Sequence, residues 1–447
     1  MSSNAQVHFG VFFQGVNHTT IWSDPASGSQ IDFETFRRIV TTAERGLFDA
    51  FFLGEGLRLR EQDGKILDLD IAGRPDAIAQ LSALAGITEH IGLVATQNTT
   101  YNEPGDLARR LAGLDILSGG RAGWNAVTTD NAWTGENFRR GGFLDHELRY
   151  ERAGQFIHAA RAIWDSWDDD TNTPRHLDLS TSQFDISLDA TLPRSPQGHP
   201  VVFQAGDSPT GRDFAAADAD VIFSRHGTHF DDALAFANDI RTRLLATGRP
   251  ADDIKILPDT QIVLAEKASE VEEKRRWVLE GQYTGQTALS LVGLVWGRDL
   301  SDRDPDGPLP EDDPVPAPIS VTRGAARDGK DPIAIAREWR ALAEAKNLSL
   351  RQVAIETSER SGFVGTPGQV ADELARWVRA GATDGFNISP YIVPGGLDDI
   401  VDWLVPELQE RGVYRTEYTS TTLRGHLGLR EPLTRRQSAE TGRNATG

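Results

Sequence analysis

Three patterns in the chain could hold an anion, order a polar ring or move a proton. In QAGDSPTGR (Gln204–Arg212) a glycine-bearing turn runs through Gly206, Asp207 and Ser208 into a helix start. Such a turn offers backbone N–H groups and a hydroxyl to a phosphate. A carboxylate beside that phosphate would repel it, so Asp207 is expected to turn its side chain away. Thr96, Asn98 and Thr99 end one apolar run, and Asn125, Val127 and Thr128 end another. Amides and hydroxyls in such places answer donors and acceptors alike. His18 in VNHTTIW and His226 in FSRHGTH are the candidates for proton transfer near neutral pH. Arg225, beside His226, could hold an anionic substrate. Read by pattern alone, Glu55 in FFLGEGL is a loop acid and Tyr150 in RYERAGQF an ordinary helix tyrosine. GDSP also admits a serine hydrolase with Ser208 as nucleophile. The elbow G-x-S-x-G is not met, because Thr210 takes its last place.

These residues need elements that bring them to one surface. Short apolar runs predict strands at Val7–Phe13, Phe48–Leu53, Ile91–Ala95, Ala122–Val127, Val201–Gln204, Val221–Phe223, Ile254–Leu264 and Gly385–Ile388. Helical spacing predicts helices over Phe33–Arg45 (capped by Asp32), Pro75–Ile87, Leu107–Leu117, Asp145–Trp167, Thr210–Ala217, Phe230–Thr247 and Gln369–Ala380. Gly119 and Gly120 supply the turn between the Leu107 helix and the Ala122 strand. Eight strand-then-helix units argue for an α/β chain folded as a (β/α)₈ TIM barrel rather than an open sheet. In that fold chemistry sits at the strands' C-terminal ends, where the polar residues above fall.

The expected organisation is a single barrel over residues 1–430 with insertions at about 168–198 and 281–361, and a disordered tail over 431–447. The first insertion contains Ser180–Leu192, a candidate hairpin. The second, rich in proline, glycine and aspartate, could carry a lid. Gly412–Gly447 is a third stretch beyond the size of a plain barrel. Phe12, Phe13, Trp22 and Trp133 are candidates for a substrate pocket, though core packing explains the two phenylalanines equally well.

A formal net charge of −20 argues against a nucleic-acid or anionic membrane partner. With no cysteine, thiolate metal sites and disulfides are excluded. Asp302–Asp313 only partly matches a calcium loop, and its prolines break it up, so no metal is expected. The start MSSNAQVHFG has no signal pattern, and no window nears the ~18 apolar residues of a membrane span, so a cytoplasmic protein is expected. There is no G-x-G-x-x-G fingerprint for a dinucleotide.

Seven blocks, in order, resemble the bacterial-luciferase-like flavin monooxygenases, in the branch of the nitrilotriacetate, dibenzothiophene-sulfone and pristinamycin-type enzymes. They are LARRLAGLDILSGGRAGWNAVTT (Leu107–Thr129), ENF (Glu136–Phe138), RYERAGQF (Arg149–Phe156), RSPQGHPVVFQAGDSPTGRDFAA (Arg194–Ala216), VGTPGQVADEL (Val364–Leu374), DGFNISP (Asp384–Pro390) and RTEYTSTTLRGHLGLR (Arg415–Arg430). The resemblance implies the barrel and an FMN-dependent monooxygenase. FMNH₂ would come from a separate NAD(P)H-dependent flavin reductase. O₂ would supply one atom to a small organic substrate and one to water. It also implies a homo-oligomer, dimer or tetramer.

Carried over residue by residue, the resemblance puts the Tyr150 hydroxyl on the FMN phosphate, with Gly206, Asp207 and Ser208 around it. Thr96, Asn98, Asn125, Val127 and Thr128 line the flavin's polar edge. Glu55 stands where the family usually has aspartate near the isoalloxazine ring, and His18 and His226 are the catalytic candidates. Departures are Asp207 in place of a small or apolar residue, a one-residue offset at His18, and Arg139 and Arg140 after Asn137-Phe138. Two other readings stay open: a deazaflavin- or flavin-dependent oxidoreductase on the same fold, and a flavin-binding barrel without turnover. The substrate is unassigned.

Overall fold

The computed structural model describes residues 5–13, 19–54, 56–57, 61–62, 65–66, 75–129, 132–135, 137–138, 144–168, 171–315, 331–358 and 362–432. His18, Glu55, Arg139, Arg140 and the tail from 433 onward lie outside them.

The barrel strands are β1 (His8–Phe13), β2 (Ala50–Leu53), β3 (Gly92–Asn98), β4 (Ala122–Val127), β5 (Val201–Gln204), β6 (Val221–Ile222), β7 (Lys255–Ile256, resuming past Pro258 as Asp259–Leu264) and β8 (Gly385–Ile388). Each pairs parallel with the next, and β8 returns to β1 through Gly10↔Asn387 and its neighbours, so the ring closes. β7 is broken at Pro258, which has no N–H to give a ladder. Its carbonyl still accepts from Asn387 N at 2.9 Å.

Alternation divides the strands as the pleat requires. Phe9, Val11, Phe51, Leu93, Trp124 and Phe386 face the helices and form the main core. Ala50, Phe52, Val94, Val201, Phe203, Val221 and Leu257 fill the barrel itself. Phe13 belongs to the outer core, edge-on to Phe36 at 5.0 Å. Phe12 lies inside, against Phe52 and Phe223 at 5.2 and 5.0 Å.

Most helices fall close to expectation, among them Phe33–Arg45 and Pro367–Arg379. Asp32 sits at the N-cap of the first but makes no side-chain cap bond; its own N–H is held by Ser29 Oγ at 3.2 Å. The strand Gly362–Gly365, which extends the sheet beside Gln261–Leu264, went unforeseen, as did the two-residue pairs Glu61–Gln62 with Lys65–Ile66 and Trp167–Asp168 with Thr173–Pro174. In the first insertion His176–Ser180 pairs with Asp185–Asp189, a hairpin that begins earlier than the sequence suggested. Among the described residues, the stretch 281–361 carries the helices Gly285–Trp296, Pro332–Lys346 and Leu350–Glu356 around an apolar cluster that includes Tyr283, Trp296 and Val353, with irregular chain over 297–315.

The stretch after Gly412 contributes to the barrel rather than hanging from it. Leu423 and Leu427 pack against Ala50, Val94, Val201 and Val221 at the closed end. Gly92 and Gly123 make room: a Cβ on either would meet Leu423, at 2.4 and 3.2 Å. Arg415 pairs with the wholly buried Asp49, which also takes His8 Nδ1 at 3.0 Å and Phe9 N at 2.9 Å. No helix among the described residues is long and apolar enough to cross a membrane.

Candidate active site at the barrel mouth

The C-terminal ends of the strands form a rim with two faces built for different partners. The first is the turn between β5 and the helix Pro209–Asp218. Ser208 is that helix's N-cap, its Oγ accepting from Gly211 N at 3.1 Å, and Pro209 fits the first turn. Pro209 has no N–H, and those of Gly211 and Arg212 go to Ser208 Oγ and Ser208 O, so the hydroxyl hydrogen of Ser208 and the N–H of Thr210 are the donors this helix start offers a ligand. Gly206 donates its N–H to Gln204 Oε1 at 2.7 Å. A Cβ on Gly206 would lie 2.9 Å from the Tyr150 hydroxyl and 3.1 Å from Gly211 Cα. Tyr150, on the helix His146–Trp164, therefore brings its hydroxyl to the turn, with its ring edge-on to Phe214 at 5.6 Å. Tyr150 and Ser208 bring two hydroxyls to one turn, and Gly206, lacking a side chain, leaves room between them. Asp207 Oδ2 accepts from Arg225 N at 3.2 Å and Arg225 Nε at 3.3 Å, while its Oδ1 is buried without a hydrogen-bond partner.

The second face is the paired ends of β3 and β4. Thr96 stands opposite Asn125 in register, and Asn125 Nδ2 donates to Thr96 Oγ1 at 3.0 Å. Asn125 Oδ1 is then left buried without a hydrogen-bond partner. An acceptor in that state signals a missing donor, and a ring N–H of a flavin is a donor of that kind. Asn98 and Val127 are committed to the rim's own structure. Asn98 Oδ1 accepts from Tyr101 N at 2.7 Å, and Val127 O accepts from Thr99 N at 2.9 Å. Thr128 is half-buried just beyond. Below both faces Phe12, Phe52, Phe203 and Phe223 make an aromatic floor.

His226 stands beside the first of these faces. Its ring stacks on Phe236 at 4.4 Å, the ring that Arg212 also covers, and burial there pulls its pKa below the ordinary value while Asp207 pulls the other way. Ser208 is engaged as a helix cap, and among the described residues no histidine is bonded to it. The sequence reading also missed a polar wall on β7 and β8. Ser389 Oγ donates to Asp259 Oδ1 at 2.7 Å, and Gln282 Nε2 donates to Gln261 Oε1 at 3.1 Å. The available signal was the alternation of Asn387 and Ser389 within DGFNISP, which places both on the inner side of β8.

A closed (β/α)₈ barrel with a glycine-bearing turn and a paired amide edge on its C-terminal rim is the architecture of a barrel enzyme, which places its site at that end. The chain belongs to the luciferase-like monooxygenase family, whose model matches residues 7–384. It is 38% identical over 460 aligned residues to nitrilotriacetate monooxygenase component A of Aminobacter aminovorans, covering 97% of this chain and 98% of the relative. It is 34% identical over 459 residues to the dibenzothiophene-sulfone monooxygenase of Rhodococcus erythropolis (strain XP), covering 97% and 98%. Among solved structures, riboflavin lyase RcaE, crystallised with a modified FMN and riboflavin, superposes with a TM-score of 0.77 at 29% identity, over 98% of this chain and 99% of that one.

Proposed function

We propose that this monooxygenase is the oxygenase half of a two-component system. It takes FMNH₂ from a separate NAD(P)H-dependent flavin reductase and directs one atom of O₂ into a small organic substrate. The observation that carries the cofactor is the Tyr150 hydroxyl set against Gly206 and the Ser208 helix cap, a donor cradle where a side chain at 206 would sit. The buried acceptor of Asn125 supports a ring with an N–H edge. RcaE, of the same fold, holds an FMN derivative, and the component A designation of the Aminobacter relative supports a division of labour with a second protein.

When bound, the reduced flavin supplies the reactivity toward O₂; the chain's residues bind, orient and shield. Tyr150, Ser208 and the helix N-terminus hold the phosphate. Asn125, fixed by Thr96, would accept from the ring's N–H edge, and the aromatic floor of Phe12, Phe52, Phe203 and Phe223 would help exclude water. His18 and His226 belong to this reading as the proton-handling residues, and Glu55 as a ring contact. A homo-oligomer is part of the same proposal.

The test is anaerobic titration of the purified chain with FMNH₂, then mixing with O₂ and candidate substrates while watching for products heavier by one oxygen atom. Tight FMNH₂ binding with oxygenated product supports the assignment. Turnover with a reduced deazaflavin and not with FMNH₂, or flavin binding with no product from any substrate class, overturns it.

A further inference from the structure

The turn that opens the helix Pro209–Asp218 carries a carboxylate, Asp207, directly before Ser208. A carboxylate beside a bound dianion weakens binding unless a cation offsets it. In a chain of net charge −20 that offset must be local. Two arginines reach this turn. Arg212 is committed: its Nε donates to Asp207 O at 3.0 Å, its Nη1 to Asp239 Oδ2 at 2.9 Å, and its guanidinium lies over the Phe236 ring at 4.8 Å. Arg225 is engaged only along one edge. Its backbone N–H and Nε both donate to Asp207 Oδ2, and its side chain is 70% exposed on the rim beyond β6. Its two terminal nitrogens make no hydrogen bond to any described residue. A guanidinium held by Nε keeps that terminal pair for a second acceptor, and a phosphate suits its fork.

We propose that Arg225 is a ligand of the cofactor's phosphate and that Asp207 is the positioning residue that holds it there. The inference rests on the reading of this rim as an FMN site. It makes the departure at Asp207 a device: the carboxylate that would repel the phosphate instead delivers its counter-charge.

The test compares FMN with riboflavin, which lacks the phosphate, by flavin-fluorescence titration of the full chain. The variants are Arg225→Gln, Arg225→Lys, Asp207→Asn and the double variant Asp207→Asn with Arg225→Gln. Arg225→Gln is expected to weaken FMN by about ten- to a hundredfold and to leave riboflavin within about twofold. Arg225→Lys restores only part, since an ammonium lacks the fork. In the Asp207→Asn background the loss from Arg225→Gln shrinks, because the arginine is no longer held. Equal losses for FMN and riboflavin, or no loss, overturn the assignment. Unchanged FMN affinity with a raised KM for an anionic substrate overturns it too, moving Arg225 to the substrate. An equal loss with and without Asp207 removes the positioning role. Tyr150→Phe and Ser208→Ala separate the two levels: if they weaken FMN and Arg225→Gln does not, only this inference fails. If none of them alters FMN binding, the reading of the rim fails as well.

Discussion

Asn125 Nδ2 donates to Thr96 Oγ1 at 3.0 Å, an arrangement that leaves the amide oxygen to another partner. The partnerless atom is Oδ1, an acceptor buried without a donor. Leaving such an atom unsatisfied costs about 1–3 kcal/mol, which a bound ring N–H would recover. Asn125→Ala is therefore expected to weaken FMN by about tenfold or more. Thr96→Val, of similar shape, should have a smaller effect in the same direction. The ligand-free protein should melt no lower in Asn125→Ala, because an orphaned acceptor has gone. Fluorescence titration and urea denaturation together check this. Lost stability with unchanged FMN affinity would make the pair a structural bond only.

Gly206→Ala tests the cradle from the other side. The new methyl would fall 2.6 Å from Gln204 Nε2, 2.9 Å from the Tyr150 hydroxyl and 3.1 Å from Gly211 Cα. The two side chains can swing, but the helix backbone cannot, so the turn must open. Overpacking of this kind destabilises by about 1–3 kcal/mol. FMN affinity should fall further than riboflavin affinity if, as proposed, the displaced groups serve the phosphate. An alanine variant that binds both flavins like the parent would rule the cradle out.

The sequence made much of this legible, for identifiable reasons. The strands Ala122–Val127, Val201–Gln204 and Gly385–Ile388 are apolar runs bounded by glycine or polar residues, and local composition suffices to bound them. The turn at Gly206–Ser208 announced itself through its glycine, hydroxyl and proline. Three things escaped because they are long-range. Gly92 and Gly123 read as ordinary strand glycines until Leu423, some three hundred residues on, fills the space they leave. Gly362–Gly365 is a strand by pairing, with two glycines that carry no strand propensity. The stacking of the His226 ring on Phe236, ten residues further on in the next helix, is likewise invisible in the run FSRHGTH.

Arg415→Met should unfold the closed end. Burial alone would raise the Asp49 carboxyl, but Arg415, with His8 beside it, holds the group below the ordinary range. Arg415 Nη2 also donates to His426 O at 3.0 Å, tying the clasp to the segment that plugs the barrel. Removing one partner of a buried pair costs about 3–5 kcal/mol, since the other charge stays behind. The expected outcome is a loss of that order in urea denaturation. Asp49→Asn combined with Arg415→Met should recover part of it, since no bare charge is then buried. If the double variant is as unstable as the single, packing rather than charge dominates the clasp.

Asp115 and His426 give opposite pH slopes, and one substitution can tell them apart. Burial pushes the Asp115 carboxyl up to about 6, with Oδ1 accepting from Ala122 N at 2.9 Å and from Gln197 Nε2 at 2.7 Å. Its ordinary value is 3.8, so between 3.8 and about 6 the folded state holds more protons than the unfolded one. Stability from this group is present below that window and lost as pH rises through it. His426 is the reverse. Burial lowers it from 6.5 to about 4, and its Nε2 donates to His90 O at 2.8 Å. There the unfolded state holds more protons, so its contribution is full above about pH 6.5 and lost as pH falls toward 4. Asp115→Asn keeps an acceptor for both donors and removes the titration. Relative to the parent it should match below about pH 4 and gain on the order of 1–3 kcal/mol by about pH 7. The difference between the two proteins' stability curves isolates Asp115, because His426 titrates in both. A difference that grows toward low pH would have the wrong sign and would show that the Asp115 carboxyl is ionised in the fold throughout.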